Sequence, residues 1–448
     1  MYRVYLKQAL HILKQGKLIS IISIAGTALA ITMVMVIVMM QEIKTANVAP
    51  EVNRDRTLYL DMQDVKLMQD KEVVGVYKTQ VDYRTVKECI LPLTTPERVC
   101  VKSQTSAVVS LQGDTRHNSY TLAAVDDNFW NVYSFSFTEG KPFIREEFES
   151  GIRVAVISKK VARELFNGES AVGKTIDINF LSYHVTGVVE NVSVLCKSAY
   201  SEVWVPYKSV PSYENAYYSC SILARDKGDF DKIKQEVKTN QQKLNSTLTE
   251  EQLDLNGPYD QATSQLEITS SQEADAAVKA DRNRTILILC IIMIIPAINL
   301  SGFSLSKFKS RMSEIGVRKA FGATKANLIM QVLYENMLST LIGGLIGLVL
   351  SVVTIFSLKR MFLENSYPLI ESGDFSIPVE TLISPGIFIS VFAACFVLNI
   401  LSASIPAYRT AGMAIVNALK SYRRSQGTQQ NNLQPEYRFD TTDRFQGV

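Results

Sequence analysis

The stretch Leu18–Met40, LISIISIAGTALAITMVMVIVMM, runs for 23 residues without a charge. Three further runs are also uncharged: Thr285–Ser306 (TILILCIIMIIPAINLSGFSLS), Asn336–Leu358 (NMLSTLIGGLIGLVLSVVTIFSL) and Thr381–Tyr408 (TLISPGIFISVFAACFVLNILSASIPAY). A helix needs about 20 apolar residues to cross a ~30 Å hydrocarbon core, and each run is long enough. The sequence therefore predicts a membrane protein with four transmembrane helices: 18–40, 285–306, 336–358 and 381–408. A cleaved signal has an apolar region of only ~7–15 residues, and no small-residue cleavage site abuts Met40, so the first run is read as a retained span.

Charge orients the spans. The 448 residues include 47 Lys+Arg and 44 Asp+Glu, a net charge of +3, which is no phosphate-seeking footprint and excludes a nucleic-acid binder. The charge is unevenly placed. Residues 1–17 carry +4, 307–330 carry +5 and the tail from Arg409 carries +3, leaving −9 for the remainder. Lys and Arg close to the spans number 14 on this side against about seven on the other. The positive-inside rule then puts both termini in the cytoplasm. Residues 41–284 become a large extracytoplasmic domain between the first and second spans, and 359–380 a short outer loop.

The outer domain reads as α+β. The run Ile152–Ile157 is β-branched, and Ser158 can cap a helix over Lys159–Phe166 with Val161, Leu165 and Phe166 on its apolar face. Asn167-Gly168 ends that helix with turn residues. Thr175–Val189 alternates as one or two strands, with Ile176, Ile178 and Phe180 expected on one face. Asp229–Leu244 is helical by composition, and a helix over Ser270–Arg284 is expected to continue into the second span. Beyond about residue 426 the tail is polar and expected to be disordered.

Chemistry-bearing patterns in this domain are weak. Cys89, Cys100, Cys196 and Cys220 are consistent with local pairs, Cys89–Cys100 and Cys196–Cys220, or with free buried thiols. His11, His117 and His184 are far apart and no spacing predicts a metal site. Gly168-Glu-Ser-Ala-Val-Gly173-Lys174-Thr175 fits G-x-x-x-x-G-K-[ST]. A phosphate loop needs a strand before it and a helix after it. Here the order is reversed, so the segment is read as a turn with Lys174 in water.

The inner loop Lys307–Met330, KFKSRMSEIGVRKAFGATKANLIM, carries the strongest signal. Glu314 and Arg318 form a favourable i,i+4 pair, and Met312 with Ile315, and Val317 with Phe321, share faces. Gly322 can take the left-handed conformation that ends a helix, and Thr324 can cap the next one. A short basic amphipathic helix of this kind suits either anionic lipid or a docking protein.

The same residues, Arg311-Met-Ser-Glu314-Ile315-Gly316-Val317-Arg318-Lys319-Ala320-Phe321-Gly322-Ala323, resemble the R-x-R-E-I-G-x-x-[RK]-A-x-G-A signature of the FtsX/MacB-type (type VII) ABC transporter permeases. Ser313 and Phe321 depart from it. The likeness continues through Glu335, Gly343, Gly344 and Gly347, then Ile405–Arg409 and Ala414–Lys420, where Ile415 stands for the usual Pro. Outside, Glu139–Phe143, Val154–Phe166, Val172–Ile176 and Val185–Val189 resemble the MacB-like periplasmic domain. The stretches Asp55–Ala124 and Val210–Leu266 carry no likeness that we can name.

The resemblance implies a non-catalytic permease subunit in a bacterial cytoplasmic (inner) membrane. Residues 307–335 would form a cytoplasmic coupling helix and turn. Arg311, Glu314, Ile315, Gly316, Arg318, Lys319, Gly322 and Ala323 would meet the ATPase. ATP and Mg would be bound by that partner, and no cofactor is expected in this chain. With only 17 residues before the first span, a separate ABC ATPase polypeptide is expected. So is a homodimer or a heterodimer with a paralogous permease, with a periplasmic adaptor as a further partner. The implied function is ATP-driven movement of the outer domain, called mechanotransmission, for efflux or export of drugs, peptides or lipoproteins. The alternative is FtsX-like signalling to a periplasmic cell-wall enzyme.

Overall fold

The structure, a computed structural model, describes residues 17–70, 72–113, 117–266, 276–292, 294, 321–322, 324–363, 386, 388–397 and 400–401. The chain divides into two compact units. One gathers residues up to Val36, Leu287–Thr354 and the chain from Pro385; the other holds Ile37–Ile286 and Ile355–Ser384.

Helix α1, Lys17–Thr45, contains the first expected span. Its apolar part, Ser20–Thr45, is one of two described helices long and apolar enough to cross a membrane. The other is Met337–Ser357, close to the expected 336–358. Residues 276–292 are helical without a break, as expected for a helix that runs from the outer domain across Arg284. The rest of the expected second span, 285–306, lies outside the described residues. Of the expected fourth span, 381–408, only part is described, including the short apolar helix Phe388–Val397.

The outer unit is built on a sheet of twelve described strands. They are β1 Thr57–Leu60, β2 Met62–Gln69, β3 Glu72–Asp82, β4 Arg98–Leu111, β5 Asn118–Val125, β6 Phe137–Gly140, β7 Val154–Ser158, β8 Thr175–Ile178, β9 Leu181–Val189, β10 Val203–Pro206, β11 Tyr217–Leu223 and β12 Glu251–Asn256. Their order is β12-β2-β3-β11-β4-β5-β10-β7-β9-β6, with β1 on β11 and β8 on β4 and β9. Only β7–β9 and β5–β10 pair in parallel. The mixture of antiparallel ladders with one short β-α-β crossover is the expected α+β class.

That crossover is helix α2, Lys159–Phe166. The Ser158 hydroxyl accepts a 3.3 Å hydrogen bond from the Val161 N–H, and Asn167 takes the left-handed conformation that ends the helix. Val161, Leu165 and Phe166 are buried, as the spacing predicts. β7 starts at Val154 rather than Ile152, because Ile152 and Arg153 face solvent.

Phe180 corrects the alternation. It does not share a face with Ile176 and Ile178. It occupies the turn between β8 and β9 with Asn179, both at positive φ (66° and 47°), and is 85% exposed. Two successive residues at φ > 0 give a tight hairpin turn, which flips the chain before the alternation can continue.

The core is aromatic as well as aliphatic. Trp204 on β10 and Phe129 are fully buried, and Trp130 meets Phe135, Phe137 and Phe143 at centroid distances of 5.0, 5.6 and 5.5 Å. Helix α3, Phe230–Thr247, turns Ile233, Val237 and Leu244 inward.

Cys89, Cys100, Cys196 and Cys220 are buried free thiols. Burial, with nearby carboxylates, pushes the Cys89 and Cys196 thiols up to about 12. Unfolded thiols titrate near ~8.5. The stability gained by keeping them neutral is full below that value and is lost as pH rises toward the folded value. Full-length protein in detergent is therefore expected to unfold at lower denaturant at pH 10 than at pH 8. At pH 8 these four thiols should take up iodoacetamide only after unfolding. Labelling of any of them in the folded protein, read by peptide mass, would contradict the burial.

Candidate functional site

The coupling residues foreseen from sequence are described only at their end. Arg311, Glu314, Ile315, Gly316, Arg318, Lys319 and Ala323 lie outside the described residues. Gly322 is described and sits at φ 91°, the left-handed conformation expected of it. Phe321 beside it is 88% exposed. Thr324 then precedes helix α5, Lys325–Leu363, where the cap was expected. The 276–292 helix is α4 in this order.

Within the unit that contains Leu287–Thr354, α5 packs on α1 through its glycines. A Cβ on Gly343 would stand 3.0 Å from the Thr27 side chain, and one on Gly347 2.8 Å from the Ala28 carbonyl oxygen. A Cβ on Gly344 would stand 2.7 Å from the Phe392 ring. The two backbones approach closely enough for the Thr32 hydroxyl, which donates to Ala28 O at 2.8 Å, also to reach Gly347 O at 3.2 Å. Small residues allow this approach where apolar burial gives no drive between helices in lipid.

The last carbonyls of a helix have no partner within it. At the end of α1 they are taken up by the outer unit. Arg54 has a fully buried side chain, and it donates from Nη1 to Ala46 O at 3.0 Å and Ile43 O at 3.4 Å. From Nη2 it donates to Leu195 O at 2.6 Å, and from Nε to the Glu51 carboxylate at 2.6 Å. The other Glu51 oxygen accepts the Ala199 N–H at 2.8 Å. Gln261 Nε2 donates to Lys44 O at 2.9 Å. One planar guanidinium thus ties the helix end to the loop after β9, in the fork geometry that Arg supplies and Lys does not. Burial pulls the Arg54 pKa down, but Glu51 and its other neighbours outweigh burial, and the net shift is upward. Sequence reasoning missed this cluster. Its only trace is an acid and a base three residues apart just beyond the first span.

The Gly168–Thr175 segment is a turn between α2 and β8, with Gly168 and Gly173 at φ 90° and 85°. Lys174 does not simply point into water. It pairs with Glu169 at 2.6 Å and lies 5.0 Å from the Phe166 ring centroid. No phosphate cradle is formed. Among the described residues no group of three His, Cys, Asp or Glu is placed to hold a metal ion.

Comparison with known proteins assigns both halves. Residues 20–240 match the MacB-like periplasmic core domain, and residues 286–415 match the FtsX-like permease C-terminal domain. The chain belongs to the FtsX/MacB-type ABC transporter permeases. The periplasmic match takes in Asp55–Ala124, where the sequence had offered no likeness.

The permease is 28% identical over 253 residues to the uncharacterized ABC transporter permease YknZ of Bacillus subtilis (strain 168), covering 55% of this chain and 60% of that one. It is 27% identical over 318 residues to the macrolide export ATP-binding/permease protein MacB of Escherichia coli (strain K12), covering 68% and 44%. The permease thus spans about half the length of the curated relatives it matches. Among solved structures, the periplasmic region of MacB from Actinobacillus actinomycetemcomitans aligns at 13% identity and a TM-score of 0.32, over 44% of this chain and 88% of that one. The permease is a membrane protein with a periplasmic or extracellular domain.

Proposed function

We propose that this permease is the non-catalytic membrane subunit of an efflux or export system, in which a separate ABC ATPase moves the outer domain. The observation that carries the proposal is the joining of a MacB-like periplasmic core to an FtsX-like permease domain in one chain. Two local features support it. The Arg54 cluster clamps the last turn of α1, so a tilt of that helix pulls on the loop after β9. Gly322 is wound for a sharp turn between the inner-loop segment and α5.

In this reading the bacterial cytoplasmic membrane holds four spans with both termini inside. The ATPase binds ATP and Mg and docks on Arg311, Glu314, Ile315, Gly316, Arg318, Lys319, Gly322 and Ala323. Two permease chains, identical or paralogous, form the working unit. Drugs, peptides or lipoproteins are the substrate classes, and a periplasmic adaptor is a further partner. The described spans, Ser20–Thr45 and Met337–Ser357, carry their charges only at the end of the first one. Intramembrane charges mark polar routes, so their absence from the span interiors favours mechanical transmission to an outer substrate.

Deleting the gene tests this against control of a cell-wall enzyme. Raised sensitivity to macrolides or antimicrobial peptides at normal cell shape is expected. A shape or lysis defect with unchanged sensitivity would replace the export reading by the signalling one.

A further inference from the structure

The outer unit carries an open cavity of about 600 Å³. That is within the ~300–1,000 Å³ of ligand clefts. Gly151 and Arg153, just before β7, line it together with residues 208–213, just after β10.

Its walls are held by bonds of their own. Gly151 sits at φ 62°, and a Cβ there would stand 3.1 Å from Lys208 O, so the two segments run close together. Arg153 O accepts the His184 N–H at 2.9 Å, which ties the base of that side chain to β9. Ser209 Oγ donates to Pro206 O at 2.7 Å, and Ser209 O accepts from the Tyr183 hydroxyl at 3.3 Å. The Tyr213 ring stands 5.3 Å from the Tyr83 ring and 5.5 Å from the Tyr207 ring, and Tyr213 O accepts from the Tyr218 hydroxyl at 2.7 Å. A ligand would therefore meet a formed surface, with little ordering left to do.

The charge of the lining is one-sided. It includes two cations, Arg153 and Lys208, and no acid. Lys208 is engaged already: its ammonium pairs with Glu149 and lies 4.9 Å from the Phe148 ring centroid. Arg153 is exposed and makes no ion pair among the described residues. A free arginine on a flat surface would carry no meaning. This one lines a cavity beside the apolar side chains of Val210 and Pro211 and the Tyr213 ring. A guanidinium offers a planar fork of donors that matches a carboxylate.

We infer that this cavity binds the carboxylate of an organic anion with an apolar body, supplied by a peptide C-terminus or by a free organic acid. Arg153 takes the carboxylate in a forked pair, and Val210, Pro211 and Tyr213 seat the apolar body. A cationic amphiphile finds no acid in the lining and meets the Arg153 charge instead, so the site selects by sign. The inference is independent of whether an ATPase couples to the inner loop, because it is read by binding alone.

Thermophoresis of the full-length protein in detergent tests it with two matched pairs of probes. One pair is an N-acetylated trileucine with a free C-terminal carboxylate and the same peptide as its C-terminal amide. The other is hexanoate and hexanamide. Each acid that binds should do so about tenfold or more tightly than its amide, the scale of a hydrogen-bonded charge. Binding of the peptide acid alone would identify a peptide end as the source, and equal binding of hexanoate a free organic acid. Arg153→Ala should weaken the acid by a similar factor, and Arg153→Lys should recover only part, since it restores the charge without the fork. Lys232→Ala, which removes an exposed cation from α3, should leave binding unchanged. Melting at the wild-type temperature would show that each variant is folded. Acid and amide binding alike in the wild type would overturn the carboxylate site. So would wild-type affinity in a folded Arg153→Ala, or no saturable binding of any probe.

Discussion

Arg54→Met is expected to destabilise the outer domain by about 3–5 kcal/mol, the usual cost of removing one partner from a buried ion pair. The substitution keeps an unbranched apolar stem but leaves the Glu51 carboxylate buried beside the Ala199 N–H with its cation gone. It also strips the partners from Ala46 O, Ile43 O and Leu195 O. For a domain of this size each kcal/mol moves Tm by roughly 2–4 °C, so a fall on the order of 10 °C is expected in detergent. Arg54→Met with Glu51→Gln should recover part of the loss, since it removes the stranded charge. Arg54→Lys should remain poor, because an ammonium cannot span the same three directions. A drop of under about 1 kcal/mol for Arg54→Met would mean that the cluster is peripheral to stability. Coupling offers a separate readout: in a reconstituted complex, Arg54→Lys should leave basal ATP turnover intact and reduce substrate export.

Gly347→Val should have the next largest effect. Its Cβ would start 2.8 Å from the Ala28 carbonyl oxygen and 3.1 Å from Ile31, both on α1. Neither a backbone oxygen nor a β-branched side chain yields easily, so α1 and α5 must part and the Thr32 bond to Gly347 O is lost. Overpacking of this kind costs about 1–3 kcal/mol. Gly26→Ala is the matched control, because a Cβ there meets nothing within 4 Å. Thermal unfolding in detergent should separate the two variants clearly. If Gly347→Val melts with Gly26→Ala, the packing of these helices is other than described.

What was legible in the sequence was local. Ser158 and Asn167 delimit a helix by hydrogen bonds to their own neighbours, so α2 was readable to the residue. Gly322 marked its left-handed turn because few other residues tolerate that conformation. The two described apolar helices, Ser20–Thr45 and Met337–Ser357, were legible because lipid imposes length and apolarity on any helix that crosses it. Phe180 failed because an apolar residue continued the alternation into a turn, where Asn179 was the only hint. Sheet order was out of reach: β1 pairs with β11, Thr57 opposite Leu223, and nothing in either segment names the other. Arg54 was hidden for the same reason. Its partners are backbone carbonyls of Ile43, Ala46 and Leu195, and a carbonyl leaves no mark in a sequence. The inner-loop residues were recognised through a family pattern rather than through geometry, and their roles stand on that pattern.

Affinity purification of the tagged chain beside its Glu314→Lys, Gly316→Trp double variant tests the central claim most directly. Mass spectrometry and an ATPase assay would be run on both eluates. The account predicts that the wild-type chain brings down a separate ABC ATPase with ATP turnover, and that a folded double variant loses both. A folded chain that captures no ATPase in either form would contradict it.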